Sequence, residues 1–189
     1  MPVKQSTVLA GIDIGFTGGI AKFHLACAGF ECDLQRIELH PMPTKKEGSG
    51  KVILDLVKLK TLIADVESVT IENVHPRPKE GVSSVFRFGW QKGAIEGILT
   101  VLDIPYIFIS PRVWKKGLTE AGLCEFDKAS SRRDHKNFAV ECVNRHFAKY
   151  LVNTGVGKGL KKTEDGLADA LLIGWWGIIG ELGLKVKTL

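Results

Sequence analysis

Apolar and polar positions alternate in short runs over the first third of the chain and in helical periods after it. Residues 7–13 are an apolar, β-branched run ending on Asp13, which reads as a central strand. Residues 15–19 hold three glycines and make a tight turn. Residues 20–25 then return as the second strand of a hairpin, and 34–39 form a third strand. Residues 41–50 mix proline, glycine and charge and read as a loop. From 51 to 65, Val52, Ile53, Leu56, Leu59, Leu62 and Ile63 recur at helical spacing. A short strand over 68–74 carries Glu72. A loop over 76–81, a long helix over 83–102 and a strand over 105–110 follow, the last ended by Pro111. The spacing predicts further helices over 130–150 and 163–180, with a glycine- and lysine-rich connector over 153–162. Three strands, then helix–strand units, then helices define an α/β domain with a mixed central sheet flanked by helices.

With 189 residues, no internal repeat and no long linker, residues 1–189 are expected to form one domain. A hydrophobic content of 44% and a charged content of 25% are those of a soluble globule. The most apolar stretch, 167–184, contains Asp169 and Glu181, so it reads as a buried core helix and no membrane partner is expected. Residues 1–7 are polar and lack the apolar region of a signal peptide, which points to a cytoplasmic protein. Cys27, Cys32, Cys124 and Cys142 match no zinc spacing and are expected as free thiols. His135, Cys142 and His146 share a helix face, where packing explains them better than zinc does.

Charge and acid placement sharpen the picture. The formal net charge of +5 favours a polyanionic partner. Asp13 and Glu72 each interrupt an apolar strand near its end, where neighbouring side chains converge and an unpaired carboxylate is costly to bury. Asp165 and Asp169 stand four apart at the start of the last helix, on one face and about 6 Å apart at Cβ. A helix N-terminus explains Asp165, but it does not explain Asp169, which runs straight into apolar sequence. A divalent cation would relieve the repulsion within such a set. Four carboxylates suit Mg²⁺ or Mn²⁺, and two such ions about 4 Å apart can activate water for phosphodiester hydrolysis.

The stretch Gly11-Ile12-Asp13-Ile14-Gly15-Phe16-Thr17-Gly18-Gly19 resembles the first-strand motif of RuvC-like Holliday-junction resolvases. In the same order, Thr70-Ile71-Glu72-Asn73-Val74 resembles their second acidic strand, and Phe88-Gly89-Trp90-Gln91-Lys92-Gly93 the helix after it. Pro111-Arg112-Val113-Trp114-Lys115-Lys116 and Asp127-Lys128-Ala129-Ser130 resemble the basic segments beyond. Asp165-Gly166-Leu167-Ala168-Asp169-Ala170-Leu171-Leu172 resembles the C-terminal acidic helix. The resemblance runs through nearly the whole chain. It implies an RNase H-like fold, a homodimer, and Mg²⁺-dependent nicking of four-way and other branched DNA. Asp13, Glu72, Asp165 and Asp169 would be the catalytic set holding two metal ions, with Lys115 and Lys128 on the DNA.

The chain departs from the bacterial pattern in three places. The last two acids are four apart rather than three, as in mitochondrial and some phage members, and the whole most resembles the phage type. His75 stands where the bacterial enzymes carry a stacking aromatic. Residues 45–50 and 153–162 have no counterpart. Arg77 and Lys79, in the loop after Glu72, are the next DNA-binding candidates, with His75 beside them. Residues 155–159 lack the spacing of a phosphate-binding loop and read as a connector, and Trp175 and Trp176 read as core. Gly89, Gly93 and Gly97 make a smooth stripe on the long helix, which packs either on the chain's own sheet or on a second copy. Other functions weighed are a nuclease of the same fold acting on RNA or RNA–DNA hybrid, and a non-catalytic junction-binding module. The sequence of residues 13–18 also resembles the phosphate loop of sugar kinases and actin, but that architecture needs two such domains.

Overall fold

Apolar residues placed at every second position fold the N-terminal third into three long antiparallel strands, β1 (Gln5–Asp13), β2 (Gly19–Ala28) and β3 (Glu31–Pro41). The computed structural model describes residues 3–48, 50–73, 75, 81–126, 132–152 and 159–187, and for 132–137 the backbone alone. After β3 come β4 (Thr44–Lys46), β5 (Val52–Leu54), α1 (Leu56–Ile63), β6 (Ser68–Glu72), α2 (Val82–Val101) and β7 (Tyr106–Ile109). The chain closes with α3 (Pro111–Glu120), α4 (Arg132–His146), β8 (Leu151–Val152), α5 (Asp165–Trp176) and β9 (Lys185–Lys187). The main sheet runs β7-β6-β1-β2-β3-β8, with β9 also on β3. β6 joins β1 in parallel while β2 joins it antiparallel, so the sheet is mixed, as the element order predicts.

Alternation divides the core in two. Leu9, Phe23, Leu25, Ile37 and Leu39 point to one face, which α3, α4 and α5 cover. Ala10, Ile12, Ile20, Val69 and Ile71 point to the other, where Leu59 and Ile63 of α1 and Ile95 and Leu99 of α2 pack. The core helix expected over 167–184 is borne out as far as Ile178, with Leu171, Leu172 and Ile173 fully buried, whereas residues 180–183 are exposed and the helical region ends at Glu181. Trp175 stacks edge-on against Phe147 at 5.0 Å. No described helix is long and apolar enough to cross a membrane.

Several local expectations change. The helix expected over 51–65 begins only at Leu56, because the Asp55 carboxylate accepts the Lys58 N–H and caps it. Val52–Leu54 instead pairs antiparallel with Thr44–Lys46, so the expected loop 41–50 holds half of a second hairpin. Pro111 does end a strand, but it also opens α3, because a helix's first turn needs no N–H from it. The helix expected over 163–180 leaves α-geometry at Gly177 for a π-turn over Gly177–Glu181. The thiols are not free. Cys27 and Cys32 face each other across the β2–β3 hairpin and form a disulfide, and Cys124 and Cys142 form a second between the segment after α3 and α4. Sequence spacing conceals both pairings, because register and helix docking create them.

The contact that positions α5 is made by backbone. A Cβ on Gly174 would lie 2.8 Å from the Gly11 Cα of β1, and one on Gly166 would lie 2.9 Å from the Gly18 Cα. Only glycine lets helix and strand meet this closely. Gly174→Ala is therefore expected to cost about 1–3 kcal/mol through overpacking. That would lower the melting temperature by about 5 °C on a chain of this size, measured by circular dichroism.

Candidate functional site

Glu72 is the last residue of β6, and Asp13 the last of β1. Ile12 pairs with Ile71 in the parallel β1–β6 ladder, so Asp13 and Glu72 are neighbours one step further on. Parallel strands lie about 4.8 Å apart, and residues in register point to the same face. Since Ile12 and Ile71 face α1 and α2, the two acids face α5.

Helix α5 brings the other two. Gly166 rests on the turn after Asp13, and Gly174 rests on Gly11, so the helix runs along β1 with its N-terminus at the strand's C-terminal end. Asp165 is the first residue of the helix and Asp169 lies one turn on, both half-buried. The Glu164 carboxylate accepts the Lys161 N–H at 2.7 Å and fastens the segment leading in. Asp13, Glu72, Asp165 and Asp169 thus reach one end and one face of the sheet, from two strands and a helix.

Trp114 has a role that sequence reasoning missed. Its side chain is fully buried on α3, and its indole N–H donates to the Glu72 carboxylate at 3.0 Å. Its ring meets Phe126 edge-on at 5.5 Å. The Lys115 ammonium lies 5.0 Å from the Trp114 ring and 5.7 Å from that of Phe126. The only sequence signal was a tryptophan inside a basic segment. On the far side, Lys92 of α2 donates to the Asn73 side chain at 3.2 Å and sits over the Phe108 ring.

Of the basic candidates, Lys115 is half-buried beside Trp114, and His75 is exposed just past β6. Lys128, Arg77 and Lys79 lie outside the described residues. Lys161 and Lys162 are exposed near the start of α5, and Arg112 and Lys116 are exposed on α3, so cations flank the acids on two sides. The four acids offer only oxygen donors, the kind that Mg²⁺ and Mn²⁺ take. Their side chains are not drawn to one point, since among the described residues no three His, Cys, Asp or Glu are gathered closely enough to hold an ion. Carboxylates repel one another unless a cation stands between them, and Glu72 is also turned to Trp114. The set fits a divalent cation in donor chemistry, and its acids share one end of the sheet without being gathered around a point.

No protein-family model matches the chain, and no curated protein matches it by sequence. Solved structures do match. The chain is similar to Thermus thermophilus RuvC, at 18% identity and a TM-score of 0.52, over 94% of this chain and 97% of that one. It is also similar to T. thermophilus RuvC in complex with a Holliday junction substrate, at 17% identity and a TM-score of 0.54, with the same coverage. The fold is therefore that of RuvC, an RNase H-like fold with a mixed central sheet flanked by helices.

Trp114→Phe removes the indole N–H and also shrinks a fully buried side chain, so it is expected to cost about 3–5 kcal/mol, the lost hydrogen bond to a charged group plus the cavity left behind. Denaturant unfolding of Trp114→Phe, Glu72→Ala, which leaves no acceptor, and the double variant forms a cycle whose coupling should recover the hydrogen-bond share, about 1.5–3 kcal/mol.

Proposed function

We propose that the chain is a structure-selective endodeoxyribonuclease that resolves four-way and other branched DNA by Mg²⁺-dependent hydrolysis, resembling the phage-type RuvC-like enzymes. The observation that carries this is the placement of Asp13 and Glu72 on neighbouring strands under the helix that bears Asp165 and Asp169. The RuvC fold, in a relative solved with a Holliday junction, supports DNA as the substrate.

In this reading Asp13, Glu72, Asp165 and Asp169 hold two divalent cations. When bound, these supply Lewis-acid activation of water and neutralise charge on the leaving oxygen. The protein's own part is placement. Gly11 and Gly174 set helix against strand, Trp114 orients Glu72, and Lys115 offers its charge to a phosphate beside the scissile one. Water adds to phosphorus and gives up a proton to solvent, the opposite P–O ester bond breaks, and the leaving oxygen takes a proton from solvent.

Asp13→Asn and Asp169→Asn are expected to abolish nicking of a labelled four-way junction in Mg²⁺ or Mn²⁺ while leaving its binding in EDTA nearly intact. Affinity comes mainly from basic residues. Ca²⁺ should support binding without cleavage. Cleavage by Asp13→Asn within tenfold of the parent, or full activity in excess EDTA, would contradict the reading.

Two nicks on opposed strands call for two sites, and the proposed working unit is a C₂ homodimer formed through α2. Of the two packings open to its glycine stripe, the one on the chain's own sheet does not occur. Among the described residues, no atom outside the helix's own backbone and the adjoining residues lies within 4 Å of a Cβ built on Gly89, Gly93 or Gly97, while Gln91, Ile95 and Leu99 face the core. Glycine costs about 1 kcal/mol against alanine at each such position, so a bare outward stripe is best explained by a close neighbour. Gly93→Arg should convert a dimer to a monomer in sedimentation equilibrium at micromolar concentration. A parent chain that is monomeric both free and on a junction would exclude the dimer.

A further inference from the structure

Beside the acidic site, on the α2 side of the sheet, lies an open groove of about 1020 Å³ that the proposed reaction leaves without a role. One wall is the β4–β5 hairpin, through Val52 and Ile53. The other is the first half of α2, through Phe86 and Trp90, and Phe16 of the turn after Asp13 also lines the groove. Phe86 is 77% exposed and Trp90 is 41% exposed, an unusual cost for two large aromatics in neighbouring turns of one helix. Among the described lining residues, Lys51 and Arg87 stand with one acid, Glu47, and Lys45 and Lys46 are exposed on the same hairpin.

We infer that this groove seats an unstacked nucleotide base of the bound DNA, with the rings of Phe16, Phe86 and Trp90 against the base and Lys51 and Arg87 against its flanking phosphates. The inference rests on the nucleic-acid reading above and extends it to a second contact. Aromatic walls with a basic rim are the chemistry by which proteins hold unpaired bases without reading their sequence. The volume admits a nucleotide. Phe16 follows the acid of β1 by three residues, so a base held here belongs to the strand entering the acidic site. A second copy of the chain is the less favoured occupant. A two-fold contact through the groove would set the hairpin lysines and Arg87 of the two copies against each other, whereas Gly93 and Gly97, further along the same face of α2, carry no such charge.

The test places 5-iodouracil at and beside the branch point of a four-way junction, and separately in a single-stranded oligonucleotide. Each is irradiated with the full chain in EDTA, and the cross-linked residue is found by mass spectrometry. Cross-links are expected at Phe16, Phe86 or Trp90. Phe86→Ala should weaken binding about tenfold, the loss of one stacking partner, while Phe86→Trp keeps it. Lys51→Ala should flatten the salt dependence by about one phosphate contact. Cross-links confined to other residues, or unchanged affinity in Phe86→Ala, overturn the inference. Conversion of Phe86→Ala to a monomer also overturns it, by assigning the groove to a second copy. Cross-linking of the single strand at these aromatics without junction binding would leave the groove as a base site and reject the junction reading instead. Failure to bind either DNA rejects both.

Discussion

Backbone meets backbone where Gly174 of α5 lies on Gly11 of β1, and the geometry of the acidic site follows from that contact. A helix packed on a sheet through ordinary side chains stands about 10 Å from it. Here glycine removes the spacer on both sides, and the second pair, Gly166 and Gly18, repeats the approach one end further along. The helix is held in position and in rotation. The residues that precede its contact positions, Asp165 before Gly166 and Asp169 before Ala170, are therefore carried to the strand end where Asp13 and Glu72 stand. A larger residue at Gly11, Gly166 or Gly174 would lift the helix and separate its acids from those of the strands.

The same economy governs the surroundings. Four carboxylates on one face raise the local negative potential, and the structure answers it with polar and cationic groups that approach without closing the site. The Trp114 indole N–H binds Glu72 from inside the core, and Lys115 lies across the ring of that tryptophan. An ammonium over an aromatic face keeps much of its charge available to a phosphate, whereas one in a tight ion pair does not. Rigid core groups thus orient an acid, and a partly exposed one carries charge toward solvent, on the side from which the proposed DNA would approach.

Helix α2 divides its surface in a way that its composition alone does not reveal. One stripe, Gln91, Ile95 and Leu99, is buried on the sheet. The opposite face carries the bare glycines, and at its N-terminal end Phe86 and Trp90 flank Gly89 over a basic hairpin. Smooth and uncharged surface suits close approach of another backbone, while aromatic surface rimmed by lysine and arginine suits a base with its phosphates. The two proposed partners of this helix meet different chemistry along its length, next to the same site.

The sequence by itself determined β1, β2, β3, β6 and β7 and most of the helices, and it singled out four acids as candidates. Alternation of apolar positions marks β1 and β6, and an acid ending an apolar strand stands out because burying it is costly. The order of the motifs was enough to imply the RNase H-like fold that the likeness to RuvC bears out. Where local signals competed, the reading slipped. The period over 51–65 hid the β5 strand and the Asp55 cap, and Pro111 announced a strand's end more plainly than a helix's start. Only tertiary structure decided that Gly11 meets Gly174, that Trp114 reaches Glu72 and that the glycine stripe turns outward. It alone also decided that Cys27 joins Cys32 and Cys124 joins Cys142. Each of these links residues whose meeting depends on register, helix rotation or the docking of separate elements. Local pattern states which face of an element is apolar, but not which residue of another element will lie against it.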